Sequence, residues 1–306
     1  MITVLAGGTG SVKLVRGLAK SAKDMTIISN VGDNIWLYGL YVCPDIDTII
    51  YGLAGELDEQ RGWGIKGDSF ECLAQLKRLG APAWFGLGDR DIAIHLQRTS
   101  MIKNGKSLSE ITSWMTDRYS VAAKVIPATN SEVTTRIITS RGEMHLQEFW
   151  VKHRGMPRVT GVRYDRVDKA VANHDAIDAI RQSDAIIVAP ANPVSSIGPI
   201  VALADLRKEL VQVREKVVAV SPLIGEKAVS GPAVKYMKAL DIESSPVGVA
   251  RYYQDFVGTF VISKDDHRFS SKIEALGMHV HETNITMKSR QDEVRLGRQI
   301  LSMIRK

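Results

Sequence analysis

The chain opens on a short β-branched run, Ile2-Thr3-Val4-Leu5-Ala6, which empties into Gly7-Gly8-Thr9-Gly10-Ser11. Apolar residues then recur at helical spacing, at Val12, Leu14, Val15, Leu18 and Ala19. That order predicts strand, tight turn and amphipathic helix. Met25-Thr26-Ile27-Ile28-Ser29 supplies a second strand and completes a βαβ start. The same rhythm returns after about 175, where residues 185–189 run into 190–199 and residues 217–220 run into 221–227 and Gly231-Pro232. Strands near 258–263 and 279–283 and a basic helix from Ser289 to Arg305 are predicted to follow. Between these halves the pattern changes. Residues 69–79 and 107–119 read as helices, whereas 133–139 and 144–151 alternate on either side of Ser140-Arg141-Gly142-Glu143 as a hairpin. The fold class predicted is α/β, a Rossmann-like parallel sheet with helices on both faces in a single domain over 1–306. Its core is expected at about 1–99 and 171–306, with an inserted α+β cap subdomain at about 100–170 that walls a second substrate.

Composition narrows the function. At 306 residues, with 44% hydrophobic and 24% charged residues, the chain suits a globular protein with a sizeable core. A net charge of +6 suits a small anionic substrate, and no basic block is long enough to form a nucleic-acid stripe. The N-terminal apolar run is too short to span a membrane and lacks the charged flank of a signal peptide. Cys43 and Cys72 have no metal-type spacing and read as reduced thiols. A cytoplasmic protein with neither nucleic-acid nor membrane partners is expected.

The candidate chemistry lies at the strand ends. In the glycine turn a phosphate can approach backbone N–H groups at a helix start, where the dipole favours anions. Lys13 and Arg16 add positive charge there. The dinucleotide pattern would place a third glycine at position 13, and a Walker A loop would need Gly-Lys-Ser/Thr, so neither ligand class is named. A tight turn with no ligand remains the alternative. Asn30-Val31-Gly32-Asp33-Asn34 delivers polar groups to the same sheet edge, where open parallel sheets bind ligands. Asp45 reads as a helix cap, and Asp47 as either a cap or a ligand to a metal. Trp63, in a glycine-rich loop, either covers a planar ligand or packs on its own loop. Asp91, His95 and Arg98 share a helix face one turn apart, beside Asp89 and Arg90, and form either a polar site or a capped, ion-paired helix start. Ser195 and Ser196 suit phosphate oxygens or helix capping, and Lys227 suits a phosphate or open solvent.

Taken in order, Gly7-Gly8-Thr9-Gly10, Asn30-Val31-Gly32-Asp33, Pro44-Asp45-Ile46-Asp47-Thr48, Leu87-Gly88-Asp89-Arg90-Asp91, residues 190–199, and Ser221-Pro222 with Gly231-Pro232 resemble one family. The chain is similar, from residue 1 to about 300, to the 2-phospho-L-lactate transferases (CofD/FbiA family) of deazaflavin coenzyme F-420 biosynthesis. The resemblance implies a homodimer and a Mg2+-dependent transfer of phospholactate from lactyl-2-diphospho-5′-guanosine to the deazaflavin alcohol Fo, releasing GMP. Actinobacterial members use the phosphoenolpyruvyl analogue. It implies Asp33 and Asp47 as catalytic, Mg2+-holding acids. The donor nucleotide would fall to Gly7, Gly8, Thr9, Gly10, Lys13, Asn192, Ser195, Ser196, Ser221 and Lys227. Fo would fall to Asp47, Trp63, Asp89, Arg90, His95 and Arg98. One departure is visible: Asn34 stands where the family has a second adjacent acid. Two other classes compete. A nucleotide-sugar-binding regulator of the gluconeogenesis-factor type shares the core motifs but not the contexts of Trp63 and Leu87-Gly88-Asp89-Arg90-Asp91. A pyridine-nucleotide oxidoreductase lacks its third glycine and the acid that should end the second strand.

Overall fold

The computed structural model describes residues 1–229 and 231–304. Its centre is a seven-stranded, wholly parallel sheet in the order His279–Thr283, Thr259–Ser263, Val217–Val220, Ala185–Val188, Ile2–Ala6, Met25–Ser29, Lys124–Pro127. The inner strands are buried on both faces, which is why they read as mainly apolar runs, broken at Thr3, Thr26 and Ser29. One core cluster, with Val4, Leu14, Ile46 and Ile300, fills one side of the sheet. A second, with Leu5, Val188, Phe256 and Phe260, fills the other. The predicted α/β class, with helices on both faces, is the fold observed.

Strand order reverses beside Ile2–Ala6. From that strand the chain steps outward to Met25–Ser29, and the later strands build from its other edge. The carboxyl ends there form the crevice in which open α/β sheets bind ligands. The helix Gly8–Ala19 leaves this point and packs on the C-terminal helix Arg290–Ile304. Arg305, to which that last helix was expected to run, lies outside the described residues.

The inserted unit is smaller than the expected 100–170. Lys124–Pro127 pairs with Met25–Ser29 and is the edge strand of the main sheet. After it come three antiparallel strands, Thr134–Thr139, Gly142–His145 and Val159–Asp165. The expected strand over 144–151 stops at His145 and gives way to a π-helical turn, Glu148–Lys152, whose Phe149 is fully buried. The helix Leu108–Arg118 carries a capping box, Ser107 with Glu110. Among the described residues no helix is long and apolar enough to cross a membrane.

Candidate active site

A cleft of about 330 Å3 lies over the strand ends at the reversal point. The first strand contributes the turn Gly7 to Gly10, the second Asp33, and Ala185–Val188 the segment from Ala191 to Ser196. Asp45 and Asp47 enter from the first turn of the helix Pro44–Ala54.

The glycines of the turn answer to two separate demands. Gly8 has φ +67°, which side chains rarely adopt. A Cβ on Gly7 would stand 2.7 Å from Asp45 Oδ2 and 3.0 Å from the Cβ atoms of Asn30 and Ser196. The residues that open the following helix line the cleft, and the Gly8 amide there is bonded to the Asp45 carboxylate.

Beneath the turn, Asn30 gathers two acids. Its Nδ2 donates to Asp33 Oδ1 at 3.0 Å, to Asp45 Oδ2 at 2.8 Å and to the Ser195 carbonyl at 3.2 Å. Its Oδ1 accepts the Gly32 amide at 2.8 Å. Burial pushes the Asp33 carboxyl well above its ordinary range, and the charge of Asp45 adds to this. Burial likewise pushes Asp45 up to about 6, against the bond from Asn30. Neither acid has an ion-pair partner among the described residues.

Asp47 is in a different state. The buried Arg98 guanidinium takes both its oxygens, Nη2 on Oδ1 and Nη1 on Oδ2. Arg98 Nη1 also lies 3.0 Å from His95 Nδ1 and 3.3 Å from the Tyr41 carbonyl. A guanidinium only donates, so His95 Nδ1 accepts and the ring proton sits on Nε2. Asp47, Asp91 and His95 offer ligand atoms within 4.8 Å of one another, a spacing that suits a cation. Ligation through Nε2 would require the proton on Nδ1 instead, and Arg98 already serves as the cation of this cluster. Asp91 accepts the Tyr51 hydroxyl at 2.7 Å. Burial would raise it, but His95 beside it, the bond from Tyr51 and the charge of Arg98 hold it below its ordinary value.

Of the residues singled out in the sequence, the Gly7 to Gly10 turn, Asp33 and Asp47 line the cleft. So do Trp63, His95, Asn192, Ser195 and Ser196. The others stand elsewhere. Lys13 Nζ is spent on the Met287 carbonyl at 3.1 Å, and Ser221 Oγ closes its own turn on the Leu223 carbonyl at 2.8 Å. Lys227 is exposed on a short hairpin. Asp89 accepts the amides of Glu71 and Cys72 at the start of the helix Glu71–Arg78. Arg90 is exposed, on Glu56 and the Lys66 carbonyl, and Arg98 stands behind Asp47. Asn34 turns its Nδ2 to the Tyr41 hydroxyl at 3.2 Å, outside the cleft lining.

Among the lining residues that went unread as site residues in the sequence are Asp45, Gln147, Trp150 and Tyr236. Asp45 had a signal, its place two residues before Asp47, but that place suits a cap equally well. Gln147 lies 3.4 Å from Asp33 Oδ2 through its Nε2 and has its amide on His145 Nδ1 at 3.0 Å. Burial lowers His145 to about 4, so its neutral ring accepts there and donates from Nε2 to the Asn34 carbonyl.

A family model described as 2-phospho-L-lactate transferase CofD matches residues 2–300. The 2-phospho-L-lactate transferase of Methanopyrus kandleri is 40% identical over 306 residues, covering 99% of this chain and 97% of that one. That of Methanosarcina mazei is 38% identical over 288 residues, covering 94% of each chain. That of Methanocaldococcus jannaschii is 39% identical over 307 residues, covering 98% of this chain and 97% of that one. The crystal structure of a UPF0052-family protein from Bacillus halodurans shares the fold, with a TM-score of 0.67 at 16% identity, over 98% of this chain and 99% of that one.

Proposed function

This chain belongs to the CofD family of 2-phospho-L-lactate transferases, and on that premise we propose that it moves a phospholactyl group, or its phosphoenolpyruvyl analogue, from a guanosine diphosphate-linked donor to the ribityl hydroxyl of Fo. The products are coenzyme F-420-0 (or its dehydro form) and GMP. The observation that carries the proposal is one cleft in which a glycine turn at a helix start meets two buried carboxylates that have no ion-pair partner among the described residues.

In the transfer the Fo hydroxyl oxygen bonds to the phosphorus that carries the acid. The bond from that phosphorus to the GMP oxygen breaks, and the hydroxyl proton passes to a cleft carboxylate. Such transfers are governed by positioning and by neutralisation of phosphoryl charge. The Gly7 to Gly10 turn, Asn192, Ser195 and Ser196 hold the diphosphate. Trp63 and His95, with Asp47 fixed by Arg98, bound the Fo side. Mg2+ bound here would offset charge on the phosphoryl oxygens, as hard oxygen ligands permit. Asp33 would be its first ligand. Asp45 suits it better than Asp47 as the second, because Arg98 occupies both Asp47 oxygens.

A thermal-shift panel tests the nucleotide assignment. A ligand that binds only the folded protein raises stability by about 2.7 kcal/mol at a hundred times its Kd. GDP is expected to raise the melting temperature, while UDP-N-acetylglucosamine and NADH leave it unchanged. A rise with the UDP-sugar and none with GDP would favour a regulator of the gluconeogenesis-factor type instead.

A further inference from the structure

Three donor atoms of cleft-lining side chains have no hydrogen-bond partner among the described residues: Asn192 Nδ2, His95 Nε2 and the Tyr236 hydroxyl. Buried polar groups in folded proteins are nearly all satisfied, so each of these needs an acceptor. His95 Nε2 has Asp91 Oδ1 at 3.4 Å, without hydrogen-bond geometry. Asn192 lies in the segment that carries the two phosphate-facing serines. Tyr236 is set apart from both. It is 0% exposed, on the helix Ala233–Ala239, with its ring 5.9 Å from that of Phe149 in the inserted unit.

Leu146, Val151 and Pro232 line the same cleft as Tyr236, as does Gln147, and the charge of Asp33 reaches the Tyr236 hydroxyl. No lysine or arginine lines the cleft among the described residues. An anion received at this wall is therefore received by neutral donors. The diphosphate already has the glycine-turn amides and the Ser195 and Ser196 hydroxyls. A lone hydroxyl in a cleft that also offers apolar side chains suits something smaller, a carboxylate whose carbon skeleton needs apolar cover.

We propose that Tyr236 is a specificity residue for the donated acid: its hydroxyl donates to the carboxylate of the three-carbon unit, whose methyl or methylene carbon lies against Leu146 and Pro232. This rests on the transferase reading and goes further by naming the group that reads the acid. A site built around a buried hydroxyl discriminates strongly, because a ligand without the matching acceptor leaves that hydroxyl unpaired.

The test is calorimetric titration of the wild type and Tyr236→Phe with three ligands: lactyl-2-diphospho-5′-guanosine, GDP and Fo. Tyr236→Phe is expected to weaken the acid-bearing donor by about tenfold or more, with GDP and Fo changed by less than about twofold. The ligand-free variant is expected to melt at or above the wild-type temperature, since it loses an unpaired buried hydroxyl. Unchanged donor affinity, or GDP weakened as much as the donor, would overturn the proposal. So would a ligand-free melting temperature several degrees lower, because the hydroxyl would then have a structural partner. A wild type that binds neither donor nor GDP would refute the transferase reading itself, an outcome distinct from a Tyr236 effect measured while GDP still binds.

Discussion

Arg98→Met removes the cation that fixes Asp47. Arg98 is 1% exposed and Asp47 4%, so almost no solvent screens the charge left behind. Removing one partner of a buried ion pair costs about 3–5 kcal/mol. His95 Nδ1 and the Tyr41 carbonyl lose a donor as well, at about 1 kcal/mol each. Burial of the methionine returns about 1.5–3 kcal/mol. The net loss expected is about 2–5 kcal/mol, and in a chain of 306 residues, with an unfolding entropy of about 2.1 cal/mol/K per residue, each kcal/mol moves the melting temperature by about 1.5 °C. Circular-dichroism melts at pH 7 without ligands should therefore fall by roughly 3–8 °C. Arg98→Met combined with Asp47→Asn should recover at least half of that, since no unpaired charge remains in the site. A single variant that loses less than about 1 kcal/mol, or a double variant no better than the single, would refute the reasoning. Asp47 would then be free to take a cation, and the pairing of Asp33 with Asp47 expected from the sequence would be restored.

Asp33→Asn and Asp45→Asn should each weaken Mg2+ binding by about tenfold in calorimetry, with Asp47→Asn doing less; the largest loss at Asp47 would reverse the ligand assignment. The metal-free protein should also be pH-sensitive at this site. The folded values of Asp33 and Asp45 lie above the ordinary 3.8, so their contribution is fully present below about pH 4 and is lost as pH rises through each folded value. Asp45, pushed up to about 6, should cost roughly 3 kcal/mol of stability between pH 4 and 7. Denaturant titrations of Asp45→Asn should lack that slope, and an identical slope in the variant would show that another group is responsible. Gly7→Ala should lower GDP affinity about tenfold while the fold persists, because the new Cβ meets Asp45, Asn30 and Ser196 at 2.7–3.0 Å. Asn34→Asp should leave Mg2+ affinity within about twofold, since this side chain faces Tyr41; a large gain would place it in the metal site.

The parts of this molecule that were legible in sequence are those whose physics is local. Ala185–Val188 is apolar throughout, and Ile2–Ala6 apart from Thr3, because a parallel strand is covered on both faces, and the glycine turn announces itself by its lack of side chains. Lys124–Pro127 begins with an exposed lysine and ends in proline, and only its pairing with Met25–Ser29, about a hundred residues earlier, makes it part of the sheet. The same limit runs through the site. Asp45 and Asp47 share one helical turn, and what separates their chemistry is Arg98, on another helix, which binds one and not the other. Arg90, Arg98 and Lys227 could be picked out as cations, but not their surroundings, which place one against Asp47 and leave two exposed. Tyr236 and Gln147 face the same cleft from segments some ninety residues apart, and nothing near either residue points to the other.

The most direct measurement is turnover of Fo, followed by chromatography and mass spectrometry of the deazaflavin product together with GMP. The lactyl and enolpyruvyl donors would be supplied separately, with and without Mg2+. The account predicts Mg2+-dependent formation of a phosphodiester of Fo with one of the two acids, and one GMP for each product formed. No product from either donor, in protein that is folded and saturated with Fo and Mg2+, would contradict it.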